Sequence, residues 1–360
     1  MIRIGFVAIS QAHQFLHWIP AALELARRDG VRVEILSSSK AGLAFVKGYD
    51  PDGLLNLVYL PTPSFHRDGL FSPPPRWLTL FLHWRKFQQN DLIVTTESTT
   101  TFLKDRTPFD KPMVRMRHGA GDRSGGYRRK TAEFDGLIVN GEKDRQRVIE
   151  YGIMPPERIA VCGYCKFEAI SPPYDPFPDA RPIAFYNPHF DPTVSSWFGH
   201  HDDVIAEMSR VKSWNFIVAP HVKLTKGKPL GQSSSPNVLI DPGSVHSIDM
   251  SYVGASSIYI GDASSQVYEF IRNPRPCIFL NLDHRKWRGE DHFAHWNFGQ
   301  VIDDISEVGP ALDRAAELQP EYEPVQREWL TKSMDLSPVP ASVRHADAIL
   351  HFARNGRFSS

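Results

Sequence analysis

Ser257-Ile-Tyr-Ile-Gly-Asp-Ala-Ser-Ser-Gln-Val-Tyr-Glu269 reads as a strand that turns directly into a helix. Ile258 to Ile260 form a short buried strand, and Val267, Phe270 and Ile271 begin an apolar pattern of helical spacing. Asp262, Ala263, Ser264 and Ser265 make the junction between them. A helix that opens on two serines presents unpaired backbone N–H groups, two hydroxyls and the positive end of its dipole. That combination suits a diphosphate. Glu269 falls one turn beyond Ser265, where a carboxylate accepts hydrogen bonds from ribose hydroxyls. The competing reading is a capped helix, with Ser264 as N-cap and no ligand.

Outward from this stretch the same alternation repeats. Arg3 to Ala8, Val31 to Leu36, Leu55 to Leu60, Leu92 to Thr95, Met113 to Met116, Gly136 to Val139 and Ile159 to Val161 read as strands. Helical patterns such as Trp18 to Arg28 and Lys143 to Tyr151 separate several of them. Ser171-Pro-Pro-Tyr-Asp-Pro-Phe-Pro-Asp-Ala-Arg-Pro182 then interrupts, as a semi-rigid connector. The pattern restarts with strands at Ile183 to Tyr186, Asn215 to Val218, Val238 to Ile240, Ser257 to Ile260 and Cys277 to Leu280. Beyond Val301 the chain reads as mostly helical, ending in a helix over Val343 to Arg354. Alternating strands and helices imply parallel sheets covered on both faces. The expected division is a Rossmann-like domain over 1–172, a linker over 173–182, a second Rossmann-like domain over 183–335, and a tail over 336–360 whose helix packs back on the first domain.

At 360 residues two domains are the natural expectation. Lys+Arg and Asp+Glu both number 41, so net charge gives no reason to expect a nucleic-acid partner. Cys162, Cys165 and Cys277 make no disulfide framework, and a lone Cys-x-x-Cys pair reads as buried thiols in a reducing cytoplasm. Met1-Ile-Arg-Ile-Gly-Phe-Val-Ala is too short an apolar run for a signal peptide. No run approaches the roughly 18 apolar residues of a membrane span. The expected location is cytoplasmic, with peripheral attachment to the inner face of the membrane left open. Pro75 to Phe87 joins Trp77 and Trp84 to several large apolar residues and three basic ones. An interfacial helix on anionic lipid has this composition, and so does a core helix.

Six separate motifs occur in order: Met116-Arg-His-Gly119, Gly163-Tyr-Cys-Lys-Phe-Glu168, Phe185-Tyr-Asn-Pro188, Ala219-Pro-His-Val222, Gly261-Asp-Ala-Ser-Ser265 and Pro276-Cys-Ile-Phe279. Together they resemble the CDP-glycerol glycerophosphotransferase family of teichoic-acid and capsule assembly. The resemblance covers about Met113 to Asp283. It implies an α/β fold of the GT-B type, two doubly wound domains facing a cleft. Ala263 stands where the family has an aromatic residue, and His189 where it has threonine. Those departures leave the transferred group open.

The resemblance places a general base at His118, which sits between a buried strand and the glycine-rich Gly119-Ala-Gly-Asp-Arg-Ser-Gly-Gly126. It places a phosphate-stabilising donor at His221, with Lys223 near enough to assist. On the donor side it groups Asn187, Gly261, Ser264, Ser265 and Glu269; Asp262 orders the turn. On the acceptor side stand His13, in the loop Ser10 to His17, and Gly119. His13 and His17 share a helix face if the helix begins early, and a zinc pair there lacks a further evident ligand. His200-His201-Asp202-Asp203 reads as a helix start, not a metal site. The ligand of the loop carrying His284, His292 and His295 is unreadable.

The expected enzyme moves glycerol phosphate from CDP-glycerol to a hydroxyl of a glycan or lipid-linked acceptor, with no cofactor and no metal. The first alternative keeps the fold and uses a nucleotide-sugar donor. A sugar-nucleotide epimerase and a non-catalytic nucleotide-binding module stand behind it.

Overall fold

The computed structural model describes residues 1–122, 127, 129–224, 230 and 233–359. Arg123 to Gly126, part of the glycine-rich stretch, lie outside the described residues. The chain forms two compact units. The first comprises Met1–Ala120, Tyr127–Ala169 and Thr331–Ser360, and the second Gly121–Gly126 and Ile170–Leu330.

The first unit holds a seven-stranded sheet of β1 (Ile2–Val7), β2 (Val31–Ser37), β3 (Asn56–Tyr59), β4 (Leu92–Thr95), β5 (Met113–Met116), β6 (Gly136–Val139) and β7 (Ile159–Val161). Its order is β3-β2-β1-β4-β5-β6-β7, and every pairing is parallel. Parallel strands are covered on both faces, which is why Leu92–Thr95 and Gly136–Val139 are buried along their whole length. Ile93, Met113, Leu137 and Val139 share one core with Leu80 and Phe87 from the helix Arg76–Phe87. The C-terminal helix Ala341–Asn355 packs on the helix Ile19–Ala26 of the same unit.

The second unit holds β8 (Ile183–Asn187), β9 (Asn215–Val218), β10 (Val238–Ile240), β11 (Ile258–Gly261), β12 (Cys277–Leu280) and β13 (Gln300–Ile302). These are again all parallel, in the order β10-β9-β8-β11-β12-β13. β13 has only three residues, one of them glutamine, and pairs with β12 on the far edge. So short a run carries no periodicity, and the sequence gives a helical region there instead.

Three local expectations change. The helix after Ser265 covers only Gln266–Phe270, so Ile271, which the apolar pattern included, lies just beyond it. Arg275 donates to the Phe270 carbonyl at 2.9 Å, and Pro274 disfavours further helix. The proline-rich segment is docked on the second unit and does not run free. Ser171 N–H donates to Asp249 O, Tyr174 N–H donates to Ser251 O, and the Tyr174 ring stacks on His246 at 4.0 Å. The first loop winds into a 3₁₀ helix over Ala12–His17 and the α-helix begins only at Ile19, so His13 and His17 do not share a face in the α-helical sense, since a 3₁₀ turn brings i and i+3 together.

Candidate functional site

In a doubly wound sheet the strand order reverses at one point, and ligands bind outside the carboxyl ends of the strands there. That point lies between β8 and β11 in the second unit. Asn187 ends β8, and Ser264 follows β11. The Ser264 hydroxyl donates to Asn187 Oδ1 at 2.5 Å, and the Asn187 amide donates to the Ala219 carbonyl, just beyond β9, at 2.7 Å. One buried asparagine therefore ties three strand ends together.

Asp262 orders the turn. Its carboxylate accepts N–H groups from His189 at 2.9 Å, Ser196 at 2.7 Å and Ala263 at 2.6 Å, and the Ser196 hydroxyl at 2.9 Å. Burial raises its pKa above the ordinary carboxylate range, against the lowering effect of these donors. His189 reaches this carboxylate through its backbone N–H. Its Nδ1 accepts the Asp191 N–H at 3.0 Å.

The remaining residues expected on the donor side take distinct positions. Ser265 occupies the N-cap of Gln266–Phe270 and makes no side-chain cap bond, while Ser264 Oγ accepts the Gln266 N–H at 3.4 Å. A five-residue helix has a small dipole, so what this turn offers a ligand is chiefly its N–H groups and hydroxyls. Glu269 is buried one turn on. Gly261 makes room within its own strand, since a Cβ there would stand 2.5 Å from the Tyr259 ring. His221 follows β9 beside Phe190 and His189, with ring centroids 4.7 and 5.9 Å away. The Lys223 N–H donates to His221 Nδ1 at 3.2 Å, which places the neutral ring's proton on Nε2. The Lys223 ammonium sits 4.2 Å over the Phe190 ring.

The first unit gathers a second group. The edges of the His13 and His17 rings approach His118, with centroids 6.3 and 6.1 Å apart, and His17 meets Tyr164 at 5.2 Å. Tyr164 and Lys166 come from the Gly163-to-Glu168 motif, which explains its conjunction with His118. His17 is buried, and that burial, with Lys166, His118 and His345, holds its pKa well below 6.5. It is therefore neutral at neutral pH. Gly119 adopts φ of 75°, a left-handed conformation suited to glycine, and its carbonyl accepts the Asn140 amide at 2.9 Å. Among the described residues no group of three or more His, Cys, Asp or Glu is arranged to hold a metal ion.

Sequence reasoning missed a polar network where the first sheet reverses, between β1 and β4. Glu97, just past β4, accepts the Gln14 amide at 2.6 Å and Arg76 at 2.6 Å, and the Thr96 hydroxyl donates to Gln14 at 2.7 Å. Ser10 and Ser38, past β1 and β2, are buried with hydroxyls that have no partner among the described residues. A polar cluster beyond two apolar strands was the available signal. On the helix Arg76–Phe87, Thr79, Leu80 and Phe87 face inward, while Trp77, Phe81 and Leu82 remain about half exposed. No described helix is long and apolar enough to cross a membrane.

Protein-family models and curated proteins give no match to the sequence. Solved structures do. The wall teichoic acid polymerase TagF, in a variant soaked with CDPG, aligns over 99% of this chain and 89% of that one, with TM-score 0.67 and 14% identity. The glycotransferase of kitacinnamycin aligns over 98% of both chains, with TM-score 0.59 and 11% identity. The UDP-GlcNAc 2-epimerase from Neisseria meningitidis, bound to UDP-GlcNAc, also aligns over 98% of both, with TM-score 0.57 and 13% identity. The fold class is GT-B, as the motifs implied. At such identities the likeness speaks to fold alone.

Proposed function

We propose that the chain is a nucleotide-diphosphate-dependent transferase, moving glycerol phosphate from CDP-glycerol to a hydroxyl of a cell-envelope glycan or lipid-linked acceptor. The observation that carries this reading is the convergence of Asn187, His221 and Ser264 on the carboxyl ends of β8, β9 and β11. The six ordered motifs point the same way, and the fold is one that TagF shares.

In this reading the second unit binds the nucleotide. Ser264, Ser265 and the N–H groups of their turn hold the diphosphate, with Glu269 assigned to the ribose. His118 takes the proton of the acceptor hydroxyl as that oxygen attacks the β-phosphorus. The bond from this phosphorus to the bridging oxygen breaks, and CMP leaves with the electron pair. His221, donating from Nε2, offsets the charge that gathers on the leaving phosphate. Positioning and charge stabilisation supply the catalysis, so neither a covalent intermediate nor a cofactor is invoked. The acceptor is assigned to the first unit, with His13, Gly119 and the Gln14–Glu97–Arg76 network as its contacts. The outer face of Arg76–Phe87, with Arg85 and Lys86, is assigned to the cytoplasmic surface of an anionic membrane.

Ala263, in place of an aromatic residue, favours a second reading with a nucleotide-sugar donor. Thermal stabilisation by CDP, UDP, GDP, ADP and CMP separates the two. A ligand at 100 times its dissociation constant adds about 2.7 kcal/mol. Selective stabilisation by CDP, lost in Ser265→Ala and Glu269→Ala, supports the glycerophosphotransferase. Preference for UDP or GDP selects the nucleotide-sugar donor, and no response from any of the five rejects both.

A further inference from the structure

The peptide unit between Asp262 and Ala263 is gripped at both ends. Its N–H is taken by the Asp262 carboxylate at 2.6 Å. Its carbonyl accepts the Trp296 indole N–H at 2.9 Å and lies 2.8 Å from His295 Nε2. Across the ring, His295 Nδ1 lies 3.2 Å from Asp122 Oδ2, and that oxygen also accepts the Tyr268 hydroxyl at 2.7 Å. Asp122 and His295 are each 2% exposed, and Tyr268 is fully buried. The preceding residue touches the turn directly, since a Cβ on Gly121 would stand 2.8 Å from Ser265 Cβ.

A peptide plane held at its N–H and its carbonyl cannot rotate, and its orientation sets where the next N–H groups and hydroxyls point. Those next residues are Ser264 and Ser265. We infer that Asp122 and His295 are positioning residues for the Asp262–Ser265 turn, acting through the Asp262 carbonyl. This rests on that turn being the nucleotide site. Trp296 alone bonds the same carbonyl from one side; the imidazole, steered by Asp122, fixes the second direction. The role is distinct from filling the core. Phe279 already packs edge-on against the His295 ring, with centroids 5.7 Å apart, whereas the two ring nitrogens face the polar chain.

The test uses the full chain with Asp122→Ala, His295→Ala, the double variant and Asp122→Asn, which keeps an acceptor oxygen. Amide exchange across residues 261–266 is measured without ligand, and CDP affinity by calorimetry. Each alanine variant is expected to exchange about tenfold faster in the turn and to bind CDP about tenfold more weakly. The double variant should be no worse than the worse single one, and Asp122→Asn should recover most of the loss. Exchange in β9 should not change. Turn exchange at the wild-type rate in both alanine variants overturns the inference, as do losses that multiply in the double variant. If the wild-type protein binds no nucleotide but exchange responds as expected, the functional reading falls and the positioning role stands. Should an alanine variant fail to fold, Tyr268→Phe removes only the hydroxyl's bond to Asp122. Faster turn exchange in it supports the inference, and unchanged exchange overturns it.

Discussion

Ser264 donates its hydroxyl to Asn187 across the point where the second sheet reverses its strand order, at 2.5 Å. The same asparagine donates to Ala219 beyond β9. Its amide is thus an acceptor on one side and a donor on the other, which only asparagine supplies at this length. Asn187→Asp keeps an acceptor for Ser264, loses the donor to Ala219 and adds a negative charge beside the proposed phosphate site. We expect a stability loss of about 1–3 kcal/mol in urea unfolding. Nucleotide affinity should fall further than in Asn187→Ala, as isothermal titration would show.

His118→Asn removes the proposed base and leaves the second unit untouched. Turnover should drop by about 10²–10⁴-fold while the CDP dissociation constant stays within about twofold. Steady-state kinetics beside calorimetry separate the two quantities. An equal loss of affinity would move His118 from the acceptor to the donor.

Two buried histidines give a signed pH dependence. Burial lowers the pKa of His345 from 6.5 to about 4 and holds that of His17 well below its usual value. Between the folded and unfolded pKa values the unfolded chain binds more protons, so stability falls as pH drops below 6.5. His345 accounts for about 3 kcal/mol of that loss by pH 4. Stability should be level with respect to these two groups from pH 8 to 7. Urea midpoints measured across pH 4 to 8 check the slope, and His345→Gln should flatten it.

The helix Arg76–Phe87 buries Leu80 and Phe87 and leaves Trp77 at 59% exposure and Phe81 at 52%. The helix therefore has an inner face in the core and a partly exposed apolar outer face, and it is the outer face that the membrane proposal concerns. Co-sedimentation with phosphatidylglycerol vesicles should be lost in a Trp77→Ser, Phe81→Ser variant and weakened by high salt. Equal sedimentation of variant and wild type removes the membrane assignment.

The two sheets were legible because parallel strands are apolar on both faces, and runs such as Leu92–Thr95 admit few other readings. The turn after β11 was legible from its serines. What escaped was whatever depends on distant pairing. Asp122 and His295 lie 173 positions apart, and Gln14 and Glu97 lie 83 apart. Each alone is an ordinary polar residue in a loop, and only the closed sheet makes it a partner. β13 escaped for a different reason: three residues beside an existing edge are specified by the neighbour they join.

The first unit is written in pieces that are far apart in the chain. Its sheet ends at Val161, yet the helix lying on Ile19–Ala26 arrives only with Ala341–Asn355. A ribosome delivers one end of this packing some three hundred residues before the other. During that interval Ala21, Ala22 and Leu25, buried in the finished protein, lack their final cover. The second unit, whose strands are nearly continuous in sequence, can close before the first is complete. Synthesis thus favours a chain that acquires its proposed nucleotide-holding half before its acceptor-holding half.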